Sequence, residues 1–238
     1  IDQVEVFKGP QSSVFGSNAI GGVISLRSGK PDEKNTFKYS FTLGNDQKKG
    51  MSGLINYKVL HNLFARVTTS YNYSNGFRNN QFLDLEDSNK KDELFARAKI
   101  FFRPTKNFNI LGTVIMSQQK NGYDAWAPDN NKNYYTYSDE PGKDTQETNA
   151  FISKLKFKFK KFNTLLKLSS SSTDLIHSYD GDWGNNPFWE DSTTYGFDSY
   201  YYGYYLPYQY FDKTSRSKRN TNAEARVYKD NALSLIHI

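Results

Sequence analysis

The chain has 238 residues, only 37% of them hydrophobic, yet it carries 18 Phe, 18 Tyr and 3 Trp at a mean hydropathy of -0.77. So many rings exclude an unstructured polar tail, and no stretch approaches the run of about 20 apolar residues that a spanning helix needs, whereas a transmembrane β-strand needs only about 9–11 residues with every second one apolar. The formal charge of +6 reads as ordinary surface charge with no nucleic-acid partner, and zero Cys excludes a disulfide framework, a cysteine zinc site and a thiol nucleophile while leaving the redox compartment open.

Residues 1–30 read IDQVEVFKGPQSSVFGSNAIGGVISLRSGK. Val4 and Val6, then the Val23 to Leu26 run, predict two short strands. Between them Gly9-Pro10, Gly16 and Gly21-Gly22 supply a fixed bend and positions for positive φ or close backbone packing. Glu5 and Lys8 are polar residues beside these strands that need partners if enclosed. Neither GxxxxGK[ST] nor GxGxxG occurs, so the glycines are not a phosphate cradle. The chain opens on Ile1 without an initiator Met or a signal-peptide pattern, which reads as a fragment.

From about residue 36 onward apolar and polar residues alternate with period two, the signature of half-buried strands. Phe37, Tyr39, Phe41 and Leu43 begin the series, followed by Met51, Ile55, Tyr57 and Val59, then by Leu63, Ala65, Val67, Tyr71 and Tyr73. Leu94 to Phe102 and Phe108 to Met116 continue it on even positions, Phe151 to Phe159 on odd ones, Phe162 to Leu168 on even, and Ala223 to Val227 on odd. Ala232 to Ile238 reads as a ninth strand cut short. Each segment is near ten residues, the length a tilted strand needs to cross a bilayer. Polar positions such as Lys154, Lys156 and Lys158 fall opposite the rings and predict a water-facing inner surface.

The connections alternate as well. His61-Asn62, Pro104 to Asn107, Lys160-Lys161 and Lys229 to Asn231 are tight, whereas about 75–91, 120–148 and 176–216 are long and rich in Asn, Asp, Gly and Tyr. Compact domains seldom carry loops beyond about 12–15 residues. Three of them on every second connection place all long loops on one rim of an up-and-down sheet and all short turns on the other, the asymmetry of outer-membrane barrels.

Residues 1–30 closely resemble the end of the plug domain of TonB-dependent outer-membrane receptors, through Glu5, Val6, Lys8, Gly9, Pro10, Ser12, Ser13, Gly16, Ala19, Ile20, Gly21, Gly22, Val23 and Ile24 in that order. The resemblance implies an all-β fold: residues 1–30 as the C-terminal part of the plug, and 31–238 as the first eight or nine antiparallel strands of a much larger transmembrane barrel. It implies a Gram-negative outer-membrane location and import of a scarce nutrient, most often a ferric siderophore, driven by TonB of the inner-membrane TonB-ExbB-ExbD complex. The TonB-contacting segment of the family lies outside these residues. The cargo carries its own iron, so no cofactor and no protein metal site are expected.

In the family, substrate binds between the plug apices and the loop walls. Candidate contacts are therefore the loop aromatics Tyr123, Trp126, Tyr179, Trp183, Trp189, Tyr201 and Tyr204, whose rigid rings supply contact area at low entropic cost. Arg66 and Arg97 join them by alternation, as inward-facing cations suited to an anionic ligand. Asp180-Gly-Asp182-Trp-Gly-Asn-Asn186 faintly resembles a calcium loop, but Gly184 at its fifth position and Asn185 in place of the sharp-turn Gly argue against that reading. His61, His177 and His237 are dispersed, and no Ser/His/Asp set or carboxylate pair emerges, so the chain reads as a non-enzyme. Alternatives are uptake of vitamin B12, heme or oligosaccharide by the same machinery, or a soluble aromatic-rich β-sandwich that binds carbohydrate.

Overall fold

A computed structural model describes residues 1–12, 19–190, 200–201, 204–205 and 209–229. The strands are β1 (Gln3–Lys8), β2 (Gly22–Arg27), β3 (Thr36–Leu43), β4 (Lys49–Leu60), β5 (Leu63–Ser74), β6 (Asn79–Asn80), β7 (Lys91–Thr105), β8 (Phe108–Tyr123), β9 (Tyr135–Thr136), β10 (Gly142–Lys158), β11 (Asn163–Asp180), β12 (Tyr200–Tyr201), β13 (Tyr204–Tyr205) and β14 (Phe211–Tyr228), with one helical turn at Asn186–Glu190. The ninth strand expected at 232–238 lies outside the described residues.

The two short strands expected at the N-terminus, β1 and β2, pair with each other antiparallel, with Val6 opposite Ile24 and Lys8 opposite Gly22. Gly22 has φ +143, and a Cβ there would stand 2.7 Å from the Phe7 carbonyl oxygen. Only a residue without a side chain closes this pair.

The eight long strands make one sheet in the order β14-β11-β10-β8-β7-β5-β4-β3, each beside its sequence neighbour among the long strands. This is an up-and-down meander, and the sheet is open. Register lines up the predicted apolar positions across it: Phe37 faces Ile55, Ile55 faces Val67, Val67 faces Ala98, Ala98 faces Val114, Val114 faces Phe151, and Leu155 faces Leu166. Side chains alternate faces along a strand, so all of these share one face. That face is uncovered, with Phe37, Tyr39, Phe41, Met51 and Ile100 each more than half exposed. A sandwich would seal it against a second sheet. Among the described residues no other sheet exceeds two strands, so the sandwich arrangement is not formed.

The strands outrun their apolar pattern. On the outer face β8 runs Phe108, Ile110, Gly112, Val114, Met116 and then turns polar at Gln118 and Lys120, although its ladder to β10 continues through Tyr123. Outer positions of β10 change likewise from Phe151 to Asn149 and Glu147, and those of β11 from Leu168 to Ser170, Ser172 and Asp174. The apolar band is about nine residues tall, enough to cross a bilayer. Beyond it the same strands project into water. The long connections are consequently 75–90, 124–141 and 181–210, shorter than alternation alone suggests, because backbone pairing persists where lipid no longer selects apolar side chains.

At the opposite, short-turn end Phe108 stacks on Phe157 at 4.5 Å and Phe159 on Phe162 at 4.7 Å. Rings gathered at one edge of an apolar band are what an interfacial girdle requires.

Candidate functional site

The inner face of the sheet carries the N-terminal segment. Lys99, only 7% exposed, donates from Nζ to Ser28 O at 2.8 Å, Ser28 Oγ at 2.7 Å and Gly29 O at 2.7 Å. An ammonium has three protons, and here all three are used. The Arg66 guanidinium lies against Gly29 so closely that a Cβ on that glycine would sit 2.7 Å from Cζ. Opposite Arg66 on β4, Asn56 is 2% exposed. Its Nδ2 donates to Lys34 O at 2.7 Å and to Asp32 O and Oδ1 at 3.1 Å, while its Oδ1 accepts from Asp32 N at 3.3 Å. Phe64 and Phe101 stack at 6.0 Å beneath Lys30, whose Nζ stands 3.3 Å over the Phe101 ring. The link between the strand pair and the sheet is thereby stitched along its length.

Beside this seam lies a cavity of about 630 Å³ bordered by Asp2, Arg27, Lys30, Arg97, Lys99 and Lys154, five cations and one carboxylate. Arg97 reaches it with its guanidinium 5.7 Å from the Phe95 ring. Alternation thus places Arg66 and Arg97 on the correct face, but at the height of the linker and not of the long loops.

At the other end the long connections are knotted together. Strands β6 and β9 pair in parallel across the first two of them, and Asn185 Nδ2 donates to Tyr137 O at 2.6 Å to join the third. Asp124 Oδ2 accepts from Asn80 Nδ2 at 3.0 Å and from Thr136 Oγ1 at 2.6 Å. Asp182 accepts from Gly184 N at 3.1 Å and Tyr210 N at 2.7 Å. Asp180 Oδ1 accepts from Asp182 N at 3.1 Å and Trp183 N at 3.2 Å. Burial pushes the Asp180 carboxyl up to about 6, with the Asp182 charge adding to it and the Ser138 hydroxyl and backbone N–H groups opposing.

Four of the predicted aromatics converge on this knot. Tyr123, Trp126, Tyr179 and Trp183 border one small void together with Asp124 and Asp180, and Trp126 stacks on Trp183 at 5.9 Å with both rings partly exposed. Trp189 packs instead against Gly184 and edge-on to Phe188. Tyr201 and Tyr204 lie in the short β12–β13 pair, with their side chains outside the described residues, as is Gly16. In the N-terminal segment Glu5 accepts from Gln3 Nε2 at 2.9 Å, Lys8 and Pro10 are exposed, Gly9 takes φ +82, and Gly21 has open space around it.

Sequence reasoning did not single out Lys99, Asn56, Asp124 or Ser138. Lys99 is one inward lysine among many, and nothing local marks it. Among the described residues no three His, Cys, Asp or Glu side chains gather where a metal could bridge them.

No family model matches the chain. Over 88 residues it is 28% identical to the vitamin B12 transporter BtuB of Vibrio vulnificus, which is 37% of this chain and 14% of that protein. The siderophore receptor PiuA of Acinetobacter baumannii superposes with a TM-score of 0.72 at 14% identity, over 98% of this chain and 33% of that one. The ferric yersiniabactin uptake receptor FyuA of Yersinia pestis gives 0.64 at 16% identity, over 74% and 29%. This chain therefore spans about a third or less of the receptors it matches. It thus shares the fold of part of the TonB-dependent outer-membrane receptors, as one open antiparallel meander with a two-stranded sheet on its inner face.

Proposed function

We propose that the protein carrying this chain imports a ferric siderophore across the outer membrane, drawing on TonB for energy. Residues 1–30 are the end of its plug and 31–238 the beginning of its barrel, with the uncovered apolar face against outer-membrane lipid and the long loops outside the cell. The observation that carries the reading is the Lys99 and Asn56 seam, which holds a strand pair on the polar face of a meander whose other face is apolar and uncovered. A soluble sheet would need the reverse arrangement.

PiuA and FyuA are described as siderophore and ferric yersiniabactin receptors, and the cavity with five cations to one carboxylate suits an anionic chelate. Uptake of vitamin B12 is the second reading, favoured by the BtuB match. Deleting the gene decides between them. Loss of ferric-chelate uptake under iron starvation, with induction of the gene by that starvation, is expected. Unchanged iron uptake with lost cobalamin uptake would replace the first reading by the second.

A further inference from the structure

We infer that the short-turn rim of the sheet docks anionic glycerophospholipid of the leaflet opposite the long loops, with Lys106, Lys160, Lys161 and Lys229 taking the phosphates, an assignment that rests on the barrel reading proposed above. The hairpin ends joining β7 to β8 and β10 to β11 read RPTKNF over 103–108 and FKFKKFN over 157–163, five cations and no carboxylate. Strand β14 ends beside them, since Tyr228 pairs with Asn163, and Lys229 follows it. The four named lysines are exposed, and among the described residues none of them forms an ion pair, whereas Arg103 is engaged by Glu33 at 3.3 Å. The other end of the strands is the reverse. Connections 75–90, 124–141 and 181–210 together hold eleven Asp or Glu against three Lys or Arg.

A basic rim surrounded by water would name no partner, but this one borders the apolar band. Phe159 and Phe162, stacked on the outer face, are 54% and 42% exposed, and Lys160 and Lys161 lie between them in sequence. The ammonium groups therefore stand within a residue or two of the last lipid-facing rings. A lysine stem lies along apolar surface while its head stays in the polar layer, so these heads reach the level of the phosphates. Strand β8 lies beside β10, which sets the two hairpin tips two strand spacings apart, about 10 Å, and the lysines form a row along the membrane edge. A phosphate diester offers acceptors to the three protons of each ammonium, and one lysine near an anionic bilayer surface is worth about fivefold in affinity. An acidic protein surface would match the charge but leave the rings between the lysines uncovered. The acidic long connections repel the same phosphates, so both ends favour one orientation and depth across the bilayer.

The test is electron paramagnetic resonance of spin-labelled lipid around the full-length protein reconstituted in phosphatidylcholine vesicles, with insertion checked by flotation. Spin-labelled phosphatidylglycerol should associate with the protein about twofold or more above spin-labelled phosphatidylcholine, and about 1 M salt should reduce that preference. Replacing Lys106, Lys160, Lys161 and Lys229 together by Gln should bring the two lipids to equality, and replacing the same four by Arg should retain the preference. Lys48→Gln with Lys132→Gln, exposed lysines at the long-loop end, should leave it unchanged. An inserted protein that shows equal association of the two lipids, or a preference that survives in the fourfold Gln variant, would overturn this assignment alone and leave an acidic protein surface as the partner of the rim. A protein that does not insert would overturn the barrel reading and the assignment with it.

Discussion

The linker seam and the loop knot solve one problem in opposite ways. Both enclose polar groups away from water at an end of the same strands. The seam does it with a cation that donates to neutral oxygens, Lys99 to Ser28 and Gly29, in surroundings already rich in Arg27, Lys30, Arg97 and Lys154. The knot does it with carboxylates that accept from neutral donors, Asp124 from Asn80 and Thr136, Asp182 from backbone. An ammonium with three acceptors is fully satisfied. A carboxylate with about four lone-pair sites and two donors is not. Charge therefore holds the seam together, while in the knot the carboxylates rest on neutral donors alone.

The sharpest break in that comparison is a charge of the wrong sign at the seam. Asn56→Asp replaces a donor to three oxygens with an acceptor facing the same oxygens, and a buried charge without a partner costs about 3 kcal/mol or more. Residues 1–34 of the full-length protein should become sensitive to protease under conditions where the wild type resists, with the eight-stranded sheet intact. Lys99→Met keeps the shape and removes the charge. Two carbonyls and a hydroxyl then lose their donor, a destabilisation of about 2 kcal/mol, read as partial protease sensitivity of the same segment. If Lys99→Met were neutral, the seam would owe its stability to packing of Phe64, Phe101 and Lys30, and the contrast with the knot would fail.

Much of the sheet was legible in the residues, since the parity of Phe37, Val67, Val114, Phe151 and Leu166 is what the register realises. Strand length was not, because lipid stops selecting apolar side chains near Met116 and Leu168 while hydrogen bonding continues to Tyr123 and Asp180. Parity gave Arg66 and Arg97 their face but not their height, so their place beside the linker and away from the loops follows only from three-dimensional register. Tyr123, Trp126, Tyr179 and Trp183 were each visible as loop aromatics. Their convergence was not, because it depends on β8 and β11 ending at one level with β10 between them. Lys99 and Asn56 had no local signature, as their partners are 71 and 24 residues away.

The smallest effect is expected at the knot, and its sign is the informative part. Burial pushes the Asp180 carboxyl up to about 6 in the folded knot against about 3.9 in an open loop. The folded state thus binds the proton more tightly, and ∂ΔG/∂pH is negative between these values. The knot is tightest below about pH 4 and loosens as pH rises through about 6, the reverse of an ordinary paired aspartate. The Asp182 charge adds to the burial of Asp180, the Ser138 hydroxyl and the Asp182 and Trp183 backbone N–H groups oppose it, and no described Lys or Arg pairs with it. Tryptophan emission or amide exchange across 124–141 should follow that transition in the wild type and be flat in Asp180→Asn, which holds the neutral form at every pH. Removing a charge then tightens the knot at neutral pH, where Lys99→Met loosens the seam.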